Sequence, residues 1–131
     1  MRKLKGWFIV LLISLSLFGM TACSDGGANS YEQITPQEVK TIMDTETDYI
    51  IFDARTTEEF AAGHIADAIL IPEYEIAARA EKELPDKDAL ILVYCRSGRR
   101  SKIASEELVK LGYTNVKEFG GIIDWPYEIV K

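Results

Sequence analysis

The chain has 131 residues, enough for one compact domain and too few for two of ordinary size. With 47% hydrophobic and 27% charged residues, 9 Gly and 4 Pro, it is not collagen-like, low-complexity or wholly disordered. Its net charge is -6, and its 2 cysteines and 1 histidine leave neither a disulfide-stapled scaffold nor a Cys/His zinc cluster, and no obvious Cys–His nucleophile–base pair.

The first 22 residues read apart from the domain. Arg2, Lys3 and Lys5 precede an uncharged run from Trp7 to Gly19, followed by small residues at Thr21 and Ala22, the pattern of a signal peptide. The run is shorter than the roughly 20 apolar residues that span a bilayer, so cleavage is expected rather than a permanent membrane helix. Met20-Thr21-Ala22-Cys23 resembles a bacterial lipobox, with Met in place of the usual Leu. That resemblance implies a lipid on Cys23 as the first mature residue, and a protein anchored on the extracytoplasmic side of a bacterial membrane in the cell envelope. Residues 23–34, which begin Cys-Ser-Asp-Gly-Gly-Ala-Asn-Ser, are expected to be a flexible tether. Three of the 15 cations and none of the 21 acids lie in residues 1–22, so the net charge beyond them is -9 and nucleic acid is not an expected partner.

From residue 35 to 131 short apolar runs alternate with helical patterns, which predicts one α/β domain. Thr35-Pro36-Gln37-Glu38 combines an N-cap, a proline at the first helical position and a capping-box Glu, and Val39, Ile42 and Met43 share a face of the helix that follows. A β-rich run at 49–52 ends at Asp53, and Thr56-Thr57-Glu58-Glu59 starts a short helix that Gly63 can stop. A strand is expected over 68–71 before Pro72, and a helix over 73–83. Residues 89–94 are apolar at every position, as suits a central parallel strand covered on both faces, and they deliver Cys95 at its carboxyl end. Ile103, Ala104, Leu108 and Leu111 have helical spacing and Gly112 stands where the helix should end. A last strand is expected over 116–119, then Gly120-Gly121 and an amphipathic tail through Trp125. The fold expected is a central, mostly parallel sheet flanked by helices on both faces.

Cys95 therefore sits in a strand-to-helix loop at the carboxyl edge of a parallel sheet, where ligands of such sheets bind. Arg96, Arg99, Arg100 and Lys102 give residues 95–102 four cations and no acid, leaving -13 for the rest of the mature chain. Cations in a helix's first turn oppose its dipole by some tenths of a kcal/mol each, a conflict that a bound anion resolves. The helix terminus and the arginines are expected to favour the Cys95 thiolate, and Gly98 to let successive loop N–H groups turn inward as an anion cradle. Asp53 and Arg55, at a neighbouring strand end, either brace this site or form a structural ion pair. His64 reads as a hydrogen-bonded structural residue, and Trp125 and Tyr127 as packing.

Cys95-Arg96-Ser97-Gly98-Arg99-Arg100-Ser101 resembles the active-site loop of single-domain rhodanese-like sulfurtransferases. Asp53-Ala54-Arg55, Glu59-Phe60, Gly63-His64-Ile65, residues 68–72, Gly120-Gly121 and Trp125 resemble the family's other motifs in order, over about 35–125. Asp67 departs from the Pro or Gly common at that position. The resemblance implies a persulfide on Cys95, an anionic donor such as thiosulfate, and no metal or organic cofactor. It also implies a substrate-binding loop of Arg96, Ser97, Gly98, Arg99 and Arg100, with Arg100 holding either the loop or the substrate. A monomer is expected, whose acceptor comes from outside the chain. One alternative is a noncatalytic binding or persulfide-carrier module. Another is a cysteine phosphatase or arsenate reductase, disfavoured because dual-specificity phosphatases place five residues between Cys and Arg, and here four stand between Cys95 and Arg100.

Overall fold

The computed structural model describes residues 30–131. The signal peptide expected at 1–22, Cys23 and the expected tether as far as residue 29 lie outside the described residues. Five strands form one sheet in the order β1-β5-β4-β2-β3, and every pair is parallel. The strands are β1 (Glu32–Gln33), β2 (Ile50–Asp53), β3 (Ile69–Leu70), β4 (Ile91–Cys95) and β5 (Val116–Gly121). Between them run α1 (Pro36–Thr45), α2 (Thr57–Ala62), α3 (Ile76–Glu83) and α4 (Arg99–Lys110).

The local signals at the first two helices act as expected. Thr35 and Glu38 close a capping box on α1, and Thr56 and Glu59 close another on α2, each satisfying N–H groups that a helix start leaves free. Elsewhere the bounds differ. The first turn of the helix expected at 73–83 is a 3₁₀ turn (Glu73–Glu75), with α3 beginning at Ile76. The folded unit also begins before Thr35. Glu32 and Gln33 pair with Lys117 and Glu118, and Tyr31 and Ile34 pack against the core, so the last residues of the expected tether form the sheet's edge. This strand is too short for its own sequence to announce it; pairing with β5 makes it extended.

All five residues of β4 are buried, because β5 and β2 cover its edges and helices cover its faces. Ile91, Val93 and Cys95 point to the layer holding Ile76, Ala80, Ala104 and Leu108, contributed by α3 and α4. Leu92 and Tyr94 point to the opposite layer, with Val39, Ile65, Phe119 and Trp125. The period-two alternation of the strand thus splits one apolar run between two cores and turns the Cys95 side chain toward α4.

Candidate active site

The loop between β4 and α4 is shaped by backbone crowding. A Cβ at Gly121 would overlap the Arg96 carbonyl and the Ser97 nitrogen, so only glycine lets the end of β5 lie against the loop. The Arg96 carbonyl accepts from Ile123 N–H at 3.2 Å. Gly98 has φ +109°, a left-handed conformation strained for any side chain, and it turns the chain into the first turn of α4.

This turn aims amide groups at the sulfur. Gly98 N–H donates to Cys95 Sγ at 3.0 Å, and the backbone N–H groups of Ser97 and Ser101 also act on it. Sγ lies 3.5 Å from Ser101 Oγ. Cys95 is 1% exposed, and its burial alone pushes the thiol up. The contacts with the Ser101 hydroxyl and with the three N–H groups outweigh burial and hold the thiol below its ordinary value. The largest lowering effects are therefore hydrogen bonds, whereas the sequence pointed first to the arginines and the helix terminus.

The three arginines are not equivalent. Arg96 and Arg99 are exposed, and no carboxylate pairs with either among the described residues. Arg100 instead forks onto Glu59 of α2, with Nη1 to Oε1 at 2.7 Å and Nη2 to Oε2 at 2.9 Å. This holds the start of α4 against α2, and the Cys95 charge also favours the Arg100 cation. The Glu59 carboxyl is held down to about 2, first by its hydrogen bond with Arg100 and then by the Thr56 capping contacts. Ser97 is exposed at the loop tip.

Asp53 and Arg55 form a buried pair, with Arg55 Nη2 2.8 Å from Asp53 Oδ2. Arg55 Nη2 also donates to the Gly63 carbonyl at 2.7 Å, and Tyr94 O–H donates to Asp53 Oδ2 at 2.6 Å while accepting from Ile65 N–H at 3.1 Å. The pair joins β2, the 63–65 segment and the strand bearing Cys95; neither residue is hydrogen-bonded to the sulfur. His64 Nδ1 lies 2.9 Å from the Phe60 carbonyl, its ring stacked on Phe60 at 3.6 Å, and it takes no part in the Cys95 loop.

Three residues given no role of their own in the sequence reading belong to the site or its support: Ser101 and Glu59, named there only within motifs, and Glu118, which went unnoticed. Glu118 is 2% exposed and accepts from Ser101 Oγ–H at 2.6 Å, Gly120 N–H at 2.8 Å and Gln33 Nε2 at 3.2 Å. A signal for it exists in β5, where the acid is in phase with buried Val116.

Comparison with known proteins adds an independent finding. A family model described as "Rhodanese-like domain" matches residues 35–126. The thiosulfate sulfurtransferase PspE of Escherichia coli strain K12 is 40% identical over 79 residues, covering 60% of this chain and 76% of that protein. A sulfurtransferase of Allochromatium vinosum is 44% identical over 85 residues, covering 64% of this chain and 77% of its own. Among solved structures, a rhodanese with anions from E. coli superposes with a TM-score of 0.60 at 37% identity, over 63% of this chain and 98% of that one.

Proposed function

The chain belongs to the rhodanese-like family, and on that footing we propose that it is an exported sulfurtransferase that moves sulfane sulfur from thiosulfate or a similar anionic donor to a thiophilic acceptor through a persulfide on Cys95. The observation that carries this reading is the Cys95 sulfur facing the N–H groups of Ser97, Gly98 and Ser101 in a loop whose exposed Arg96 and Arg99 pair with no carboxylate among the described residues. Relatives named as sulfurtransferases support it.

In the first half-reaction the Cys95 thiolate attacks the outer sulfur of the donor, and the electron pair of the broken S–S bond leaves with sulfite. In the second, an acceptor thiolate attacks the terminal sulfur and Cys95 departs as thiolate, which is covalent catalysis in two steps. Arg96 and Arg99 draw the dianion to the loop mouth, and the loop amides stabilise the anion on each sulfur that occupies the cradle. Arg100 holds the loop through Glu59 and leaves direct donor binding to the other two. The protein works as a monomer carried on the extracytoplasmic side of a bacterial membrane by lipid on Cys23, supported by the lipobox-like residues 20–23 and the signal pattern before them.

Incubation with thiosulfate is expected to add the mass of one sulfur atom to the peptide containing Cys95, and Cys95→Ser to abolish it. Subsequent addition of a small thiol should remove that sulfur. Failure to load from thiosulfate or other sulfane donors overturns the proposal, and loading without discharge to any acceptor points to the noncatalytic carrier.

A further inference from the structure

A buried chain of side chains leads away from the reactive sulfur. Cys95 Sγ–H donates to Ser101 Oγ at 3.5 Å, and Ser101 Oγ–H to Glu118 Oε1 at 2.6 Å. Ser101 Oγ also lies 3.1 Å from the Gly98 carbonyl and 3.3 Å from the Gly120 carbonyl. A hydroxyl has one proton to give, and the short contact to a carboxylate takes it in preference to a neutral carbonyl. Ser101 is 0% and Glu118 2% exposed, so water does not readily replace either partner.

We infer that Glu118 is a proton store for Cys95, exchanging one proton with it through the Ser101 hydroxyl during the sulfur-transfer cycle. This rests on the persulfide reading above and adds the fate of the proton to it. In the resting pocket the thiol S–H bond breaks as Ser101 Oγ takes its proton and passes its own to Glu118, leaving a thiolate, an unchanged serine and a neutral carboxylic acid. The thiolate attacks the donor, sulfite departs, and the terminal persulfide sulfur holds the negative charge while the proton stays on Glu118. When the acceptor displaces Cys95, the same proton returns through Ser101 to the departing sulfur. Thiol with carboxylate, thiolate with acid and persulfide anion with acid all carry a single negative charge.

The physical reason is the cost of burial. A persulfide anion and a Glu118 carboxylate together would place two like charges in a pocket shielded from water, each disfavouring the other. Glu118 meets no cation of its own among the described residues. Its partners are the hydroxyl of Ser101 on α4, the Gln33 amide on β1 and the Gly120 N–H. The other titratable groups that sense these charges are Tyr31, ahead of β1, which feels Glu118, and Arg100, on α4, which feels Cys95. Glu118 acts through Ser101 and touches no reacting atom, so it is a positioning residue in this scheme.

The test compares infrared difference spectra of the full chain before and after loading with thiosulfate, with the sulfur counted by mass in the same sample. A carbonyl band of a protonated carboxylic acid should appear in step with the added sulfur, and should be missing from Glu118→Gln, which keeps the shape of the side chain and loads more slowly for want of the proton acceptor. Discharge of the persulfide to a small thiol should slow at least about tenfold in Glu118→Gln and in Ser101→Ala. The double variant should be no slower than either single one, as two members of one relay require. Corrected for the fraction of acceptor present as thiolate, discharge by the unaltered enzyme should be nearly independent of pH around neutrality, and both variants should become pH-dependent. Sulfur that loads with no such band, or a Glu118→Gln variant that discharges at the original rate with the original pH profile, overturns the proton store and leaves the persulfide reading standing. If no sulfur loads, both fall together.

Discussion

Two opposed effects act on the Cys95 thiol, and their balance is what a chemist would exploit. Burial disfavours the thiolate, while the Ser101 hydroxyl and the three loop N–H groups favour it more strongly. A thiol held below its ordinary value of about 8.5 is in its nucleophilic form over more of the physiological range. The expected outcome is that alkylation of Cys95, followed by mass on its own peptide so that Cys23 does not interfere, reaches half its maximal rate at a pH below that of free cysteine. A half-maximal pH at or above the free value would show that burial wins. His64 contributes nothing to this balance, because its ring is stacked on Phe60 and bonded to the Phe60 carbonyl.

At the scale of elements, the Cys95 loop leads into a tie between two helices that are remote in sequence. Glu59 closes the capping box of α2 and at the same time receives the guanidinium fork of Arg100 at the start of α4. Its carboxyl is depressed from 4.5 to about 2 in the folded chain. A depressed acid stabilises the fold above its unfolded value and loses that contribution as pH falls through the folded one. The tie should therefore be intact above about pH 4.5 and disappear by about pH 2. Its worth is about 1–2 kcal/mol, given a two-pronged but partly exposed pair. Glu59→Gln is expected to be less stable than the original chain by that amount at about pH 6, and to converge with it near pH 2, as read from urea midpoints. Equal midpoints at pH 6 would show that the ion pair contributes no net stability.

For the molecule as a whole, the parallel sheet gathers chemistry at one rim. Because all strand pairs run the same way, the ends of β2 and β4 lie side by side, bringing the Asp53–Arg55 pair next to the strand that bears Cys95. Among the described residues no helix is long and apolar enough to cross a membrane. Cys23→Ser is expected to move the protein from the membrane to the soluble fraction of lysed cells, while Cys95→Ser leaves it on the membrane. Membrane association that survives loss of Cys23 would count against a lipid anchor.

The order of strands and helices, the capping boxes at Thr35 and Thr56 and the position of Cys95 at the end of a buried strand were legible in the residues. Each is set by short-range chemistry: a side chain three residues from the amide it caps, a run of apolar residues, a glycine where the backbone turns. What stayed hidden depends on contacts between distant parts of the chain. The pairing of Glu32–Gln33 with β5, the fork of Arg100 onto Glu59 and the path from Cys95 through Ser101 to Glu118 link residues between 6 and 85 positions apart. The arginines beside Cys95 looked alike as a cluster of positive charge, and folding separated them by giving a carboxylate to one. Likewise Glu118 reads as one more acid in an acidic chain until β1, α4 and the Gly120 amide close around it. Local pattern can place Cys95 at the end of its strand, but its partners are chosen when the sheet assembles and water is excluded, because only then does each buried polar group need a specific neighbour.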